Sequence, residues 1–137
     1  MQPRHMTEQV CATDAVVDFI TRAAWPDFPA EAVAIAKRCL IDGLGVMLAG
    51  STQDVGDILR GYIRETDGCS ESTALGPQAF RTSAASAALL NGTSGHALDW
   101  DDTQLATSAD RIFGLLTHPT VPPLVAALAI GEPRHVS

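Results

Sequence analysis

Aromatic residues are scarce in this chain: four Phe, two Trp and one Tyr among 137 residues. Any core is therefore built from Ala, Leu, Val and Ile. Basic residues are scarce too, nine Lys and Arg against sixteen Asp and Glu, for a net charge of −7. The nine are scattered and form no stripe, which argues against a nucleic-acid partner. Cys11, Cys39 and Cys69 are an odd number without metal-ligand or cluster spacing. Cys39 lies in the most apolar segment and reads as a small core residue, so a reduced, cytoplasmic setting is the expectation. Long apolar runs are missing as well. Cys39–Ala49 contains Asp42 and is too short for a bilayer, which needs roughly 20 residues. Met1–Thr13 has no apolar stretch of the signal-peptide kind. No membrane association is expected.

What is present is a chain that is 46% hydrophobic and long enough for one domain. Residues 1–12 read as a flexible leader and 13–137 as the domain. Ala-rich helices bury little area each. At about 25 cal/mol per Å² of apolar surface, they need many contacts to offset chain entropy. A partner, whether a second copy or a second chain, is the expected source of the missing burial.

The hydrophobic spacing predicts an all-α fold of about five helices. Thr13 or Asp14 caps a first helix carrying Val16, Phe19, Ile20 and Ala23, and Trp25–Pro29 forms the following turn. A second helix, about Ala30 to Leu48, is apolar on every face after Lys37-Arg38, the mark of a buried helix. Leu40–Leu48 is expected at its centre, with Gly43 and Gly45 admitting a close neighbour. A third helix, about Asp54 to Thr66, turns Val55, Ile58, Leu59, Tyr62 and Ile63 inward and leaves Asp57, Arg60 and Arg64 outside. Ser72–Gly76 reads as an extended linker. Thr82 or Ser83 starts a helix over Ala84–Leu90, and Val121 to Gly131 forms the last. Asp110–Leu116 is expected to make one helical turn inside a long connection.

The densest chemistry lies between those last two helices, in Asn91-Gly92-Thr93-Ser94-Gly95-His96-Ala97-Leu98-Asp99-Trp100-Asp101-Asp102-Thr103 and then Thr117-His118-Pro119-Thr120. Carboxylates crowded at the mouth of a packed core want a counter-charge or a proton, and such groups tend to sit at functional sites. Each residue also has a plain reading. Asp99 is either a capping aspartate or a site carboxylate, and Thr103 is either a turn hydroxyl or a donor to a ligand carboxylate. His118 exchanges protons near neutrality and is held extended by Pro119, unless it only satisfies a carbonyl at a helix start. His96, about one turn before Asp99, is placed to hydrogen-bond to it as a supporting group. Asp101 and Asp102 read as capping and loop-fixing groups, although close carboxylates can share a proton. Asp99-x-Asp101-Asp102 is also a set that can offer oxygens to Mg²⁺.

These motifs, together with Ile41-Asp42-Gly43-Leu44-Gly45-Val46-Met47-Leu48-Ala49-Gly50 upstream, resemble the MmgE/PrpD family over residues 13–133. That family includes 2-methylcitrate dehydratase, cis-aconitate decarboxylase and iminodisuccinate epimerase. The resemblance implies the N-terminal part of the family's helical domain. The smaller lid domain, with a lysine and further histidines of the active site, has no counterpart here. It further implies acid–base chemistry on a small anionic di- or tricarboxylate, without metal, iron–sulfur cluster or other cofactor. By the same resemblance His118 and Asp99 are catalytic, Asp99 and Thr103 bind substrate, and His96 and Asp102 stand behind them. The chain is then expected to be incomplete alone and to act as a homo-oligomer or with a second chain carrying the rest. A non-catalytic helical scaffold derived from that fold is the alternative.

Overall fold

The computed structural model describes residues 11–105 and 117–136. It is mostly helical: α1 (Ala12–Arg22), a 3-10 turn (Trp25–Asp27), α2 (Ala30–Gly50), α3 (Asp54–Thr66), α4 (Ala84–His96) and α5 (Val121–Arg134), with strands β1 (Ser72–Ala74) and β2 (Phe80–Thr82) between α3 and α4. The leader and the expected turn over Asp110–Leu116 lie outside the described residues, apart from the last two positions of the leader. The chain divides into two units, residues 1–35 and 36–137.

In the first unit α1 starts after Cys11, which makes no side-chain capping bond. The Asp27 carboxylate accepts from the Ala24 amide at 2.8 Å, and the Phe19 and Phe28 rings meet edge to face at 6.3 Å.

The second unit is organised around α4, which packs on α5, α3 and β1. One apolar cluster joins Met47 to Val121, Leu124 and Val125, and another joins Ile63, Ala74 and Leu90. Helix α2 is not buried all round. It presents only Gly43, Met47 and Gly50 to the core, a stripe spaced by four and three residues as a single helix face requires. Leu40, Ile41 and Leu48 are exposed, Ile41 at 73%. Gly43 does admit a close neighbour, since a Cβ there would stand 2.6 Å from Leu124 Cδ2, whereas Gly45 has nothing within 4 Å.

Helix α3 is likewise turned from the expected orientation. Gly56, Arg60 and Ile63 face inward, Leu59 packs partly against the core, and Val55, Ile58 and Tyr62 are exposed. Arg60, expected outside, is 5% exposed and donates to the Ser51 carbonyl at 3.2 Å. Apolar periodicity marks a face that seeks cover. It does not say that this stretch of chain supplies the cover.

The stretch read as a linker is one arm of an antiparallel hairpin, with Ser72 opposite Thr82 and Ala74 opposite Phe80. Its strands are too short to show alternation, and distant side chains fix them. Asn91 accepts from the Leu75 amide at 2.8 Å and donates to the Thr73 carbonyl at 2.9 Å. Glu132 on α5 accepts from both the amide and the hydroxyl of Thr73 at 2.7 Å and pairs with Arg81. Helix α4 starts as expected, with the Ser83 hydroxyl accepting from the Ser86 amide. It runs past Leu90 to His96, with the Asn91 side chain bonded to the hairpin.

Candidate active site

The site is assembled by three local devices. First, α4 carries His96 in its last turn, where the negative end of the helix favours a cationic side chain. The close packing that places it depends on Gly95: a Cβ there would lie 2.6 Å from Val121 Cγ1.

Second, the chain reverses just past the helix. Asp99 adopts the left-handed conformation, φ 54°, which aspartate tolerates better than most residues, and its amide donates to the His96 carbonyl at 3.1 Å. The reversal swings Asp101 back against α4, and the Asp101 side chain is only 2% exposed.

Third, two contacts close the long connection between α4 and α5. Gln104 and Thr117 exchange backbone hydrogen bonds of 2.8 and 3.0 Å. Asp102 accepts from the Thr120 amide at 3.2 Å and the Thr120 hydroxyl at 2.6 Å, placing a carboxylate at the positive end of α5. Together these set His118 beside Asp101.

Asp101 is the hub. Its Oδ1 lies 2.9 Å from His96 Nδ1 in hydrogen-bond geometry, and its Oδ2 lies 3.1 Å from His118 Nδ1. The second contact is an ion-pair approach out of line for a hydrogen bond, which leaves His118 Nδ1 buried without an aligned partner. The two imidazoles stack edge to face with centroids 4.6 Å apart. Hydrogen bonding to Asp101, then the charges of Asp101 and Asp99, raise the pKa of His96 above its ordinary value, and desolvation partly opposes them.

His96, Asp101 and His118 stand at the polar end of a cleft of about 840 Å³, whose wall is formed by Ala88, Leu89, Val121, Pro122, Val125 and Ala126. That size suits a small molecule. Thr93 and Thr117 add hydroxyls to the lining, and among the described lining residues there is no Lys or Arg.

The expected site residues are thus partly brought together. His96, Asp99 and His118 converge with Asp101, each offering a ligand atom within 4.8 Å of the others. His96 bonds Asp101 and not Asp99, because the left-handed turn at Asp99 carries the later carboxylate back to the helix. Asp102 holds the start of α5. Thr103 is exposed and does not line the cleft. The sequence reading underrated Asp101 and passed over Thr93 and Thr117. The only signal for Asp101 was its spacing from His96, five residues across a helix end. The four converging groups are close enough to reach one cation. Carboxylates set against imidazoles also allow these groups to share protons.

Comparison with known proteins adds an independent line. The family model for the MmgE/PrpD N-terminal domain matches residues 14–137. Human cis-aconitate decarboxylase is 33% identical over 101 residues, which is 72% of this chain and 19% of that enzyme. The chain thus spans about a fifth of the length of that relative.

Proposed function

The chain belongs to the MmgE/PrpD family, and from that premise and the site geometry we propose that it is the N-terminal portion of an enzyme performing cofactor-free acid–base chemistry on a small di- or tricarboxylate. The observation that carries the reading is His118. Its Nδ1 is shut against a buried carboxylate while its side chain, 24% exposed, lines the cleft. An imidazole that keeps its Nδ1 proton toward Asp101 has a lone pair on Nε2, the nitrogen left to exchange a proton with a ligand.

In the proposed reaction His118 takes or returns the proton on the carbon α to a substrate carboxylate. Asp99, beside it at the exposed turn, orients the substrate. Thr103 offers a hydroxyl to one of its carboxylates when the site is complete. Dehydration follows proton removal with loss of a β-hydroxyl as water, decarboxylation delivers a proton to carbon as CO2 leaves, and epimerisation returns the proton to the opposite face with no group lost.

A dicarboxylate bound here needs positive groups, and the described lining contains only imidazoles. We therefore assign the remaining cationic groups to residues outside the described lining, in this chain, in further sequence or in a second chain. The lack of cations among the described lining residues is the one observation favouring the alternative, a non-catalytic helical module. Assays of the chain, alone and with the rest of the enzyme, on cis-aconitate, 2-methylcitrate and iminodisuccinate separate the two. Turnover that depends on His118 supports the enzyme. Binding to the partner without turnover of any carboxylate supports the module.

A further inference from the structure

One carboxylate serves two imidazoles at this site, an arrangement that neither the family match nor the acid–base reading requires. We propose that Asp101 is a positioning residue that clamps His118 and His96 by their Nδ1 atoms, fixing the tautomer of His118 and coupling the protonation of the two rings. The proposal rests on the reading of His118 as the proton carrier, but its structural content stands apart from any particular reaction.

The distances are 2.9 Å from Oδ1 to His96 and 3.1 Å from Oδ2 to His118, so each oxygen has its own ring and neither ring displaces the other. A carboxylate that is 2% exposed cannot be satisfied by bulk water and draws the Nδ1 protons toward itself. A lone pair on His118 Nδ1 would face a carboxylate oxygen 3.1 Å away, so even without an aligned hydrogen bond the contact favours the Nδ1–H tautomer, with Nε2 as the basic nitrogen.

A single negative charge supports one imidazolium well and two poorly. With centroids 4.6 Å apart, a second proton on the pair would set two imidazolium charges against each other beside one carboxylate. Among the described residues, few other charged groups face the pair. Asp99 approaches from the turn and Asp102 is engaged by Thr120, while α5 contributes only apolar side chains to the cleft. His96, more than half exposed, meets solvent, while the Nδ1 side of His118 is closed off.

The test is ¹⁵N NMR of the histidine rings in the protein in its native assembly, for wild type, Asp101→Asn and His96→Gln, with turnover measured in parallel. In wild type, His118 is expected as the Nδ1–H tautomer with a two-step titration, which His96→Gln reduces to one step. Asp101→Asn is expected to shift His118 toward mixed tautomers and to lower kcat about tenfold or more with KM changed less than about threefold. Asp101→Glu is expected to restore part of both. If wild-type His118 carries its proton on Nε2, or titrates in one step that His96→Gln leaves unmoved, the proposal is overturned, even if Asp101→Asn fails to fold. An intact tautomer and coupling with no turnover of any carboxylate would instead overturn the proposed function and leave the clamp standing.

Discussion

His118 Nδ1 lies 3.1 Å from Asp101 Oδ2, on the oxygen opposite the one that holds His96. Chain segments that are 22 residues apart at the two histidines are thereby tied to one buried charge. The site's integrity is consequently a property of the connection between α4 and α5 as much as of the helices.

The His96–Asp101 pair ties stability to pH in a defined direction. The folded-state pKa of His96 is raised, first by its hydrogen bond to Asp101. Its stabilisation is therefore fully present below the ordinary histidine value and lost as pH rises through the folded value. His96→Gln is expected to narrow the difference in urea midpoint between pH 5.5 and pH 8.5, about one unit below and two above the ordinary histidine pKa of ~6.5. A midpoint difference unchanged by the substitution would show that this pair does not report on folding.

Carboxylates act with the opposite sign. Hydrogen bonds from Thr73 hold Glu132 below its usual range, against a smaller opposing effect of burial. Hydrogen bonds from Ser83 and Ser86 hold Asp67 lower still. Their contributions are present above the unfolded carboxylate values and lost as pH falls through the depressed ones. Glu132→Gln removes the acceptor charge that pins the hairpin to α5 and is expected to cost about 1–2 kcal/mol near neutrality. Denaturant melts should show that cost shrinking at low pH, where wild-type Glu132 is itself protonated.

Gly95 marks where α4 and α5 press together. Gly95→Ala would place a methyl 2.6 Å from Val121 Cγ1 and 3.3 Å from Met47 Cγ. Overpacking of this kind costs about 1–3 kcal/mol. Thermal melts should show a lowered midpoint, and displacement of α5 should impair the cleft more than the loss of stability alone explains.

Apolar side chains on α2 and α3 are open to solvent: Ile41 at 73%, Ile58 at 70% and Tyr62 at 60% exposed. Unless covered they favour association. Sedimentation velocity at micromolar concentration is expected to show self-association that Ile41→Lys and Ile58→Lys reduce. A cooperative, monodisperse monomer would contradict this.

Much of the fold was legible in the sequence because helical spacing is a local signal. The Ser83 cap, the end of α2 near Gly50 and the start of α5 beside its prolines fall where the residues place them. The hairpin was not legible, since its strands are three residues each and owe their place to Asn91 and Glu132 far along the chain. Nor was the side of each helix that turns inward. Val55, Ile58 and Tyr62 look like a core stripe, yet Gly56 and Arg60 take the inner face, for a reason visible only in contact with Ser51. At the site, His96, Asp99 and His118 were legible as chemistry. Asp101 was not, because its role depends on a left-handed turn at Asp99 that the sequence alone does not announce.

The central claim is that His118 carries the proton in an acid–base reaction on a small carboxylate. The most direct measurement is turnover of the complete assembly bearing His118→Ala, alongside its circular dichroism spectrum. A positioned acid–base group contributes about 10²–10⁴-fold, so kcat is expected to fall by that order with helical content unchanged. Asp99→Asn should lower activity as well. Near wild-type turnover in a folded His118→Ala protein would contradict the account and leave His118 a structural histidine at the start of α5.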